Sequence, residues 1–343
     1  MANFGDRKLK RAVCFDDVLL VPQQSAIASR SDIDIRSSLG VGIQLDIPII
    51  SSPMDTVTES PMAAALSDCG GLSIIHRYNS IDIQCKHVEC LPAESLVGAA
   101  IGVTGDYIDR ATALHGAGAN VLCVDIAHGH HILMKHAISE LREIFGDEIH
   151  IMAGSVATLD GFNDLADWGA NSIRVGIGGG SICSTRTQTG HGVPTLASVM
   201  ACADSDRDVA LIADGGLRSS GDIVKALAAG ADFVMLGSML AGTEESPGER
   251  VIINGEARKI YRGMASSDAQ IDWRGHAASI EGVSSTVPYQ GTVADKIQEI
   301  CMGIRSGLSY TGARNLSEFR AKSKFIEQTN LGVAEGLTHV NLR

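Results

Sequence analysis

The chain has no uninterrupted apolar stretch of about 18 residues, so we expect no transmembrane helix. Its first residues, MANFGDRKLKRAVCFDDVLL, include no long apolar block that leads to a small-residue cleavage site. Such a block is required for a secretory signal peptide, so the cytoplasm is the expected location.

The chain also lacks an excess of positive charge. Its 28 lysines and arginines against 40 aspartates and glutamates give a formal net charge of −12. This balance disfavours nonspecific binding to nucleic acid, and we expect no such partner and no membrane partner. A phosphorylated small molecule is still a possible ligand, because backbone N–H groups can hold a phosphate locally.

None of the eight cysteines forms a CxxC pair, so neither a zinc site nor a disulfide framework is indicated. A buried free thiol is the usual interpretation for each of them. One cysteine stands out, because Cys183 lies among hydroxyl side chains in GIGGGSICSTRTQTGHG (176–192), directly after a run of glycines. For this residue a reacting thiol is the alternative.

Short β-branched apolar runs recur along the 343 residues, of which 45% are hydrophobic and 20% charged. Such near-continuous apolar strands are typical of a parallel sheet buried on both faces. Segments 131–145 and 222–231, which lie between such runs, have apolar residues at helical spacing. The predicted strands are IPIIS (47–51), LSIIH (72–76), GAAIGV (98–103), VLCVDI (121–126), IHIMAG (149–154), SIRVGI (172–177), ALIADGG (210–216) and FVMLGS (233–238).

A strand followed by a helix, repeated about eight times, is the pattern of an α/β TIM barrel, (β/α)8. We therefore predict one catalytic barrel domain over residues 1–343. A doubly wound sheet is the alternative, but no GxGxxG follows the first strand and the repeats are too many. Glycine clusters at Gly215–Gly216 and Gly237–Ser238 follow the seventh and eighth strands, where such barrels commonly hold a phosphate.

Segment 249–291 does not fit the barrel pattern. It contains a hairpin signal at Asn254–Gly255 and then a polar stretch with little periodicity. We predict a mobile flap at about 262–290, with disorder as the alternative. Residues 292–320 are expected to be helical, and about the last twenty residues to form an irregular tail.

Several motifs together identify a family resemblance: FDDVLLVPQQS, SSPMDTVTE, VGIGGGSICSTR, IADGGLRSSGDIVKALAAGADFVMLGS, GTEESPGE and YRGM. They resemble the inosine monophosphate (IMP) dehydrogenase and guanosine monophosphate (GMP) reductase family, in order and over almost the whole chain. The resemblance implies an oxidoreductase of purine nucleoside monophosphates that uses a nicotinamide cofactor and assembles as a homotetramer.

The resemblance also implies roles for the cysteine loop. Cys183 matches the nucleophile that attacks C2 of the purine, a step suited to a thiolate. Thr185 matches the threonine that exchanges protons with the attacking or departing group, and Glu281 matches a third catalytic residue. Carbonyls of Gly178, Gly180 and Cys183 match those that hold a monovalent cation, potassium. Two positions depart from the family pattern, with Gly179 in place of proline and Ser184 in place of threonine.

The same resemblance implies the binding residues. Asp214 matches the carboxylate that accepts both ribose hydroxyls, and Ser155 replaces the asparagine expected in AGNV. The other matched residues are Ser181, Gly216, Gly237, Ser238 and Tyr261 for the phosphate, Ser52, Met54, Gly263 and Met264 for the nucleotide and its base, and Asp125 and Arg174 for the nicotinamide.

The direction of the reaction is less clear from the sequence. TEESPGE, YRGM and HGH resemble the dehydrogenase, whereas SRSDID, SSDAQ and SYTGA resemble the reductase. The flap contains no Arg-Tyr pair to activate water, Trp273–Arg274 being the nearest substitute. Most dehydrogenases also have a regulatory domain between the second and third strands, which this chain lacks.

We therefore favour a GMP reductase that uses NADPH and releases ammonia. An IMP dehydrogenase that uses NAD and lacks the regulatory domain is the alternative. The same chemistry on a deoxy or modified purine nucleotide also stays open. A catalytically silent, metabolite-sensing barrel is disfavoured by the intact Cys183, Thr185, Asp214 and Glu281.

Overall fold

The computed structural model describes residues 10–40 and 42–336. Its strands, numbered in chain order, are β1 (Val18–Leu20), β2 (Ser37–Gly40), β3 (Ile43–Leu45), β4 (Ile49–Ser51), β5 (Leu72–Ile75), β6 (Val97–Ile101), β7 (Val121–Asp125), β8 (His150–Val156), β9 (Ser172–Val175), β10 (Ala210–Asp214), β11 (Phe233–Leu236), β12 (Arg250–Ile253), β13 (Glu256–Arg262), β14 (Ser284–Pro288) and β15 (Phe325–Glu327).

Strands β4 to β11 form a closed parallel barrel in sequence order, with β11 pairing back onto β4. They coincide with the eight strands predicted from the sequence, so the TIM barrel is confirmed and the doubly wound alternative is wrong. Residues 76–96 alone join β5 to β6, so no domain is inserted between the second and third barrel strands.

The barrel strands are buried because both of their faces are covered. Inside, the inward side chains form one apolar cluster that includes Ile50, Ile74 and Met235. Leu39 and Leu45 of the β2–β3 hairpin belong to the same cluster, so the hairpin packs against the barrel interior. The opposite end of the barrel, where the strands have their carboxyl ends, is left for the polar loops.

The helices cover the outside of the barrel through apolar stripes. In α4, for example, Met134, Ala137, Ile138 and Leu141 are buried at helical spacing. The helices are α1 (Ser60–Asp68), α2 (Ile81–Glu89), α3 (Tyr107–Gly116), α4 (Ile132–Phe145), α5 (Leu159–Asp167), α6 (Thr185–Thr189), α7 (Thr195–Cys202), α8 (Ser220–Ala228), α9 (Ser238–Ala241), α10 (Ser267–Arg274), α11 (Val293–Thr311), α12 (Leu316–Lys322) and α13 (Asn330–Glu335).

The segment after the barrel is folded. Strands β12, β13 and β14 form an antiparallel sheet, and α10 lies between β13 and β14. The predicted hairpin turn is present, because Asn254 (φ 52°) and Gly255 (φ 82°) both adopt the left-handed conformation that such a turn needs. The alternative that this segment is disordered is therefore wrong. We keep the name flap for residues 262–290.

The C-terminal region follows the prediction only in part. Helices α11 and α12 confirm the predicted helical stretch, with a break at Gly312, whose φ of 67° ends α11. The irregular tail was wrong for residues 325–335, since β15 pairs antiparallel with β1 and α13 follows. The rest of the predicted tail, 337–343, lies outside the described residues, as do residues 1–9. Within the described ranges, we find no helix with the length and apolar character that a membrane crossing needs.

Candidate active site

A cavity of about 340 Å³ opens where the barrel strands have their carboxyl ends. This is the face on which TIM-barrel active sites lie. Every residue that the sequence predicted for the site lines this cavity, and their individual roles stay predictions. They are Ser52, Met54, Asp125, Arg174, Gly178, Gly180, Ser181, Cys183, Thr185, Asp214, Gly216, Gly237, Ser238, Tyr261, Gly263, Met264 and Glu281.

Cys183 is an exposed free thiol at the head of a hydrogen-bonded chain. Its Sγ donates to Thr185 Oγ1 at 3.2 Å, and that hydroxyl donates to Glu281 Oε2 at 2.7 Å. The chain leads from a nucleophile to a carboxylate base, so a proton leaving sulfur has a path to Glu281.

Backbone contacts hold the cysteine loop against the flap. Ser184 N donates to Glu281 O at 3.0 Å, and Val283 N donates to Ile182 O at 3.1 Å. Cys183 and Gly282 form an isolated antiparallel bridge between the two segments. Glu281 therefore reaches Thr185 because the flap is docked on the loop, although 96 residues separate the two in sequence.

Arg174 lies between two acidic side chains at the mouth of the barrel. Its Nη2 is 2.7 Å from Asp125 Oδ1, and its Nε is 3.2 Å from Asp214 Oδ2. Ser155 joins this cluster, since its Oγ accepts from Arg174 Nη2 at 3.0 Å and lies 3.4 Å from Asp214 Oδ2. Ser155, where the resemblance implies asparagine, thus has defined partners here.

Asp214 ends β10 and lines the cavity wall, where its side chain is partly buried. Burial raises the pKa of this carboxyl, and the neighbouring Arg174 offsets part of that rise. A carboxylate has several acceptor positions, so Asp214 can accept from two vicinal hydroxyls, as predicted for the ribose.

Two of the predicted phosphate residues, Gly237 and Tyr261, lie close together. A Cβ placed on Gly237 would lie 3.0 Å from Tyr261 Oη and 3.5 Å from Ser52 Oγ. Gly237 precedes the short helix α9, whose first N–H groups have no partners within the helix. Burial raises the pKa of Tyr261 to about 12, so its hydroxyl stays protonated near neutral pH and can donate to an anion.

The glycine at position 179, where the resemblance implies proline, has a local reason in this chain. A Cβ on Gly179 would lie 2.4 Å from Oγ1 of Thr195, a buried residue at the start of α7. With Thr195 in place, the loop that carries Cys183 therefore lies too close to α7 for a Cβ at position 179.

We expect Gly179→Ala to lower the free energy of unfolding by about 1–3 kcal/mol, as overpacking usually does. Thr195→Ala removes the oxygen that the new methyl group meets, so adding it should recover part of that loss. Urea unfolding of the wild type, both single variants and the double variant measures the coupling. Strictly additive effects would show that the contact with Thr195 does not select glycine.

The loop carbonyls predicted to hold potassium already have neighbours. Gly180 O accepts from Cys183 N at 3.1 Å. The positively charged Arg186 packs on Gly178, where a Cβ would lie 3.0 Å from its Nε. These contacts give no support to a cation in the loop as folded, so this site stays a prediction.

Among the cavity residues that the sequence reasoning missed, two have side chains that contact other parts of the site. Arg77 and Tyr78 follow β5 in the HRYNS stretch and line the wall beside Asp125. Arg77 Nη2 donates to Asp125 O at 3.4 Å, and its Nε lies 3.8 Å from Asp125 Oδ2. Their position at the carboxyl end of a barrel strand was the available signal.

The sequence suggested Arg274 as a substitute for a water-activating arginine, but the structure does not place it in the cavity. Its guanidinium donates to Gln270 Oε1 and to His276 O, both within the flap. It is exposed and does not belong to the cavity wall. In this arrangement the contacts of Arg274 lie within the flap, outside the cavity wall that holds Cys183.

Comparison with known proteins agrees with this geometry. Residues 12–339 match the family model described as the IMP dehydrogenase / GMP reductase domain. Two similar relatives are inosine-5'-monophosphate dehydrogenases. The one from Nitrosopumilus maritimus is 35% identical over 97% of this chain and 99% of its own. The one from Cryptosporidium parvum is 34% identical over 98% and 96%.

Among solved structures, a cysteine-to-alanine variant of GMP reductase from Trypanosoma brucei, in complex with guanosine 5'-monophosphate, has a TM-score of 0.92 and 29% identity. The likeness covers 97% of this chain and 99% of that one. The alignment with the Nitrosopumilus relative spans 474 positions, more than the 343 residues here, so that relative contains positions with no counterpart in this chain. From the matched family model and these relatives, the chain belongs to the IMP dehydrogenase / GMP reductase family of purine nucleotide oxidoreductases.

Proposed function

We propose that this family member is a GMP reductase, which converts GMP and NADPH to IMP, ammonia and NADP⁺ through a purine bound covalently to Cys183. The observation that carries the proposal is the hydrogen-bonded chain from Cys183 through Thr185 to Glu281, in a cavity wall from which Arg274 is absent. The two arginines that do line the cavity, Arg77 and Arg174, both lie beside Asp125.

In the first half of the reaction, Cys183 Sγ bonds to C2 of the purine. The thiol proton passes through Thr185 Oγ1 to Glu281, because both hydrogen bonds already point that way. The same proton then returns along the chain to the exocyclic amino group, which leaves as ammonia. Breaking the C2–N bond therefore requires no oxidant and leaves the purine joined to sulfur.

The remaining residues hold the two ligands. Asp214 accepts from the ribose hydroxyls, and Ser181, Gly216, Gly237, Ser238 and Tyr261 surround the phosphate. The Asp125 carboxylate and the Arg174 guanidinium suit a nicotinamide carboxamide, which both donates and accepts hydrogen bonds. When bound, NADPH supplies the hydride that replaces sulfur at C2. We further propose that residues 1–343 act as one catalytic domain within a homotetramer.

An IMP dehydrogenase is the second candidate, because the two curated relatives above bear that name. Its reaction needs an activated water after the covalent step, and Arg274 would have to leave Gln270 to provide it. Two parallel assays distinguish the candidates. One follows the loss of NADPH absorbance with GMP, and the other follows xanthosine monophosphate (XMP) by chromatography with IMP and NAD⁺.

We expect GMP-dependent NADPH consumption with equal release of ammonia, and no steady XMP production from IMP. The Cys183→Ser enzyme serves as the blank in both assays. Steady XMP production without GMP-dependent NADPH loss would overturn the reductase proposal and make Arg274 the candidate base.

A further inference from the structure

The flap meets the barrel through an aromatic stack. The rings of Trp273, in α10, and Tyr78, after β5, lie with centroids 4.2 Å apart and planes 11° from parallel. The Arg77 guanidinium lies 5.5 Å from both ring centres, and that of Arg274 lies 5.4 Å from the Trp273 ring. Close stacking with two cations nearby is a favourable contact for an indole.

Two side-chain anchors hold the flap segment that carries Trp273 in place. Gln270, one turn before Arg274, is almost fully buried. Its amide donates to Ala265 O and Ser279 O and accepts from Ala278 N. Gln270 therefore links the segment before α10 to the residues that follow this helix. A second anchor joins Arg262 to Asp55 and Asp272.

The stack borders the reaction cavity. Tyr78 and Arg77 line its wall next to Asp125, whereas Trp273, stacked on Tyr78, is not part of that wall. The flap that carries Trp273 also carries Glu281, whose carboxylate closes the chain from Cys183. Loss of the stack would therefore remove a contact between the barrel and the flap that docks on the reacting cysteine.

We propose that Trp273 is a specificity-determining residue: by stacking on Tyr78 it keeps the flap docked and water away from the Cys183-bound purine, so that this intermediate is reduced and not hydrolysed. The inference rests on the proposed GMP reductase function. A closed site protects reactive intermediates from hydrolysis in this way.

Hydrolysis of the Cys183-bound purine, which the docked flap would prevent, balances without a redox partner. Water attacks C2, the C2–S bond breaks, and one water proton restores the thiol of Cys183 while the purine leaves as XMP. With ammonia already released, the net reaction is GMP plus water to XMP plus ammonia. It can therefore be measured in the absence of any nicotinamide cofactor.

The docking of the flap on the barrel is tested first, by a measurement that needs no turnover. The chain has only two tryptophans, so Trp168→Phe leaves Trp273 as the sole indole reporter. Acrylamide quenching of its fluorescence is expected to increase in Trp168→Phe/Tyr78→Leu and to stay low in Trp168→Phe/Tyr78→Phe, which keeps a stacking ring. Equal quenching in both would overturn the stack as the contact that docks the flap.

The hydrolysis of the Cys183-bound intermediate is tested next, with GMP and no cofactor. We expect Trp273→Ala to form XMP and ammonia at least about tenfold faster than wild type, because water reaches the intermediate. Trp273→Phe, which retains a stacking ring, should stay near the wild-type rate, and Trp168→Phe should equal it. Circular dichroism checks that each variant is folded.

The outcomes separate the inference from the proposed function. If wild type reduces GMP with NADPH but folded Trp273→Ala forms no more XMP than wild type, the role of Trp273 is wrong and the reductase stands. If wild type does not reduce GMP, the proposed function itself fails. Should Trp273→Ala not fold, Tyr78→Leu gives the same test, with faster XMP formation supporting the proposal and an unchanged rate overturning it.

Discussion

Cys183→Ser is expected to abolish turnover while leaving nucleotide binding nearly intact. A serine hydroxyl in the same place keeps the hydrogen bond to Thr185, but it is a far weaker acid and a poorer leaving group than a thiol. Both the formation and the breaking of the bond to C2 therefore fail. Turnover is measured as GMP-dependent NADPH loss, and nucleotide binding by calorimetry.

Cys90→Ser provides the matched control for this variant. Cys90 is also an exposed free thiol, but it lies at the end of α2 and outside the cavity wall. Its replacement should leave activity unchanged. Retention of about a tenth or more of the wild-type activity in Cys183→Ser would contradict the covalent mechanism, since a nucleophile cannot be dispensable.

Asp214→Ala is expected to weaken nucleotide binding by more than about tenfold. Removing a charged acceptor costs about 1.5–3 kcal/mol per hydrogen bond, and about 1.4 kcal/mol corresponds to a factor of ten in Kd. Arg174 keeps Asp125 as a partner in this variant, so the guanidinium is not left alone in the wall. Calorimetry with GMP and with IMP measures the change.

Asp214→Asn separates charge from shape. The amide keeps the size of the side chain and accepts more weakly, so its Kd should lie between those of wild type and Asp214→Ala. Because burial raises the pKa of Asp214, the wild-type carboxyl becomes protonated at a higher pH than an ordinary aspartate. The advantage of wild type over Asp214→Asn should therefore shrink as the pH falls through that raised pKa. An unchanged Kd in Asp214→Ala would mean that the ribose binds elsewhere.

Much of the barrel could be predicted because its signals are local. Each buried parallel strand is a short β-branched apolar run, and each covering helix repeats its apolar residues at helical spacing. The hairpin at Asn254–Gly255 was equally local, since two residues that tolerate a positive φ stand together. The β1–β15 pair was missed because it joins Val18 to Glu327, and neither three-residue strand has a pattern of its own.

By itself, the sequence determined the eight strands, their order, and the glycine-rich and polar loops that follow them. It also placed Cys183 and Asp214 on the same face, because the carboxyl ends of parallel strands meet at one end of a barrel. Only the tertiary structure decided that Glu281 reaches Thr185, that Arg174 lies between two aspartates, and that Trp273 stacks on Tyr78. These contacts join segments far apart in the chain, and their distances depend on how the barrel closes and the flap docks, which no local pattern encodes.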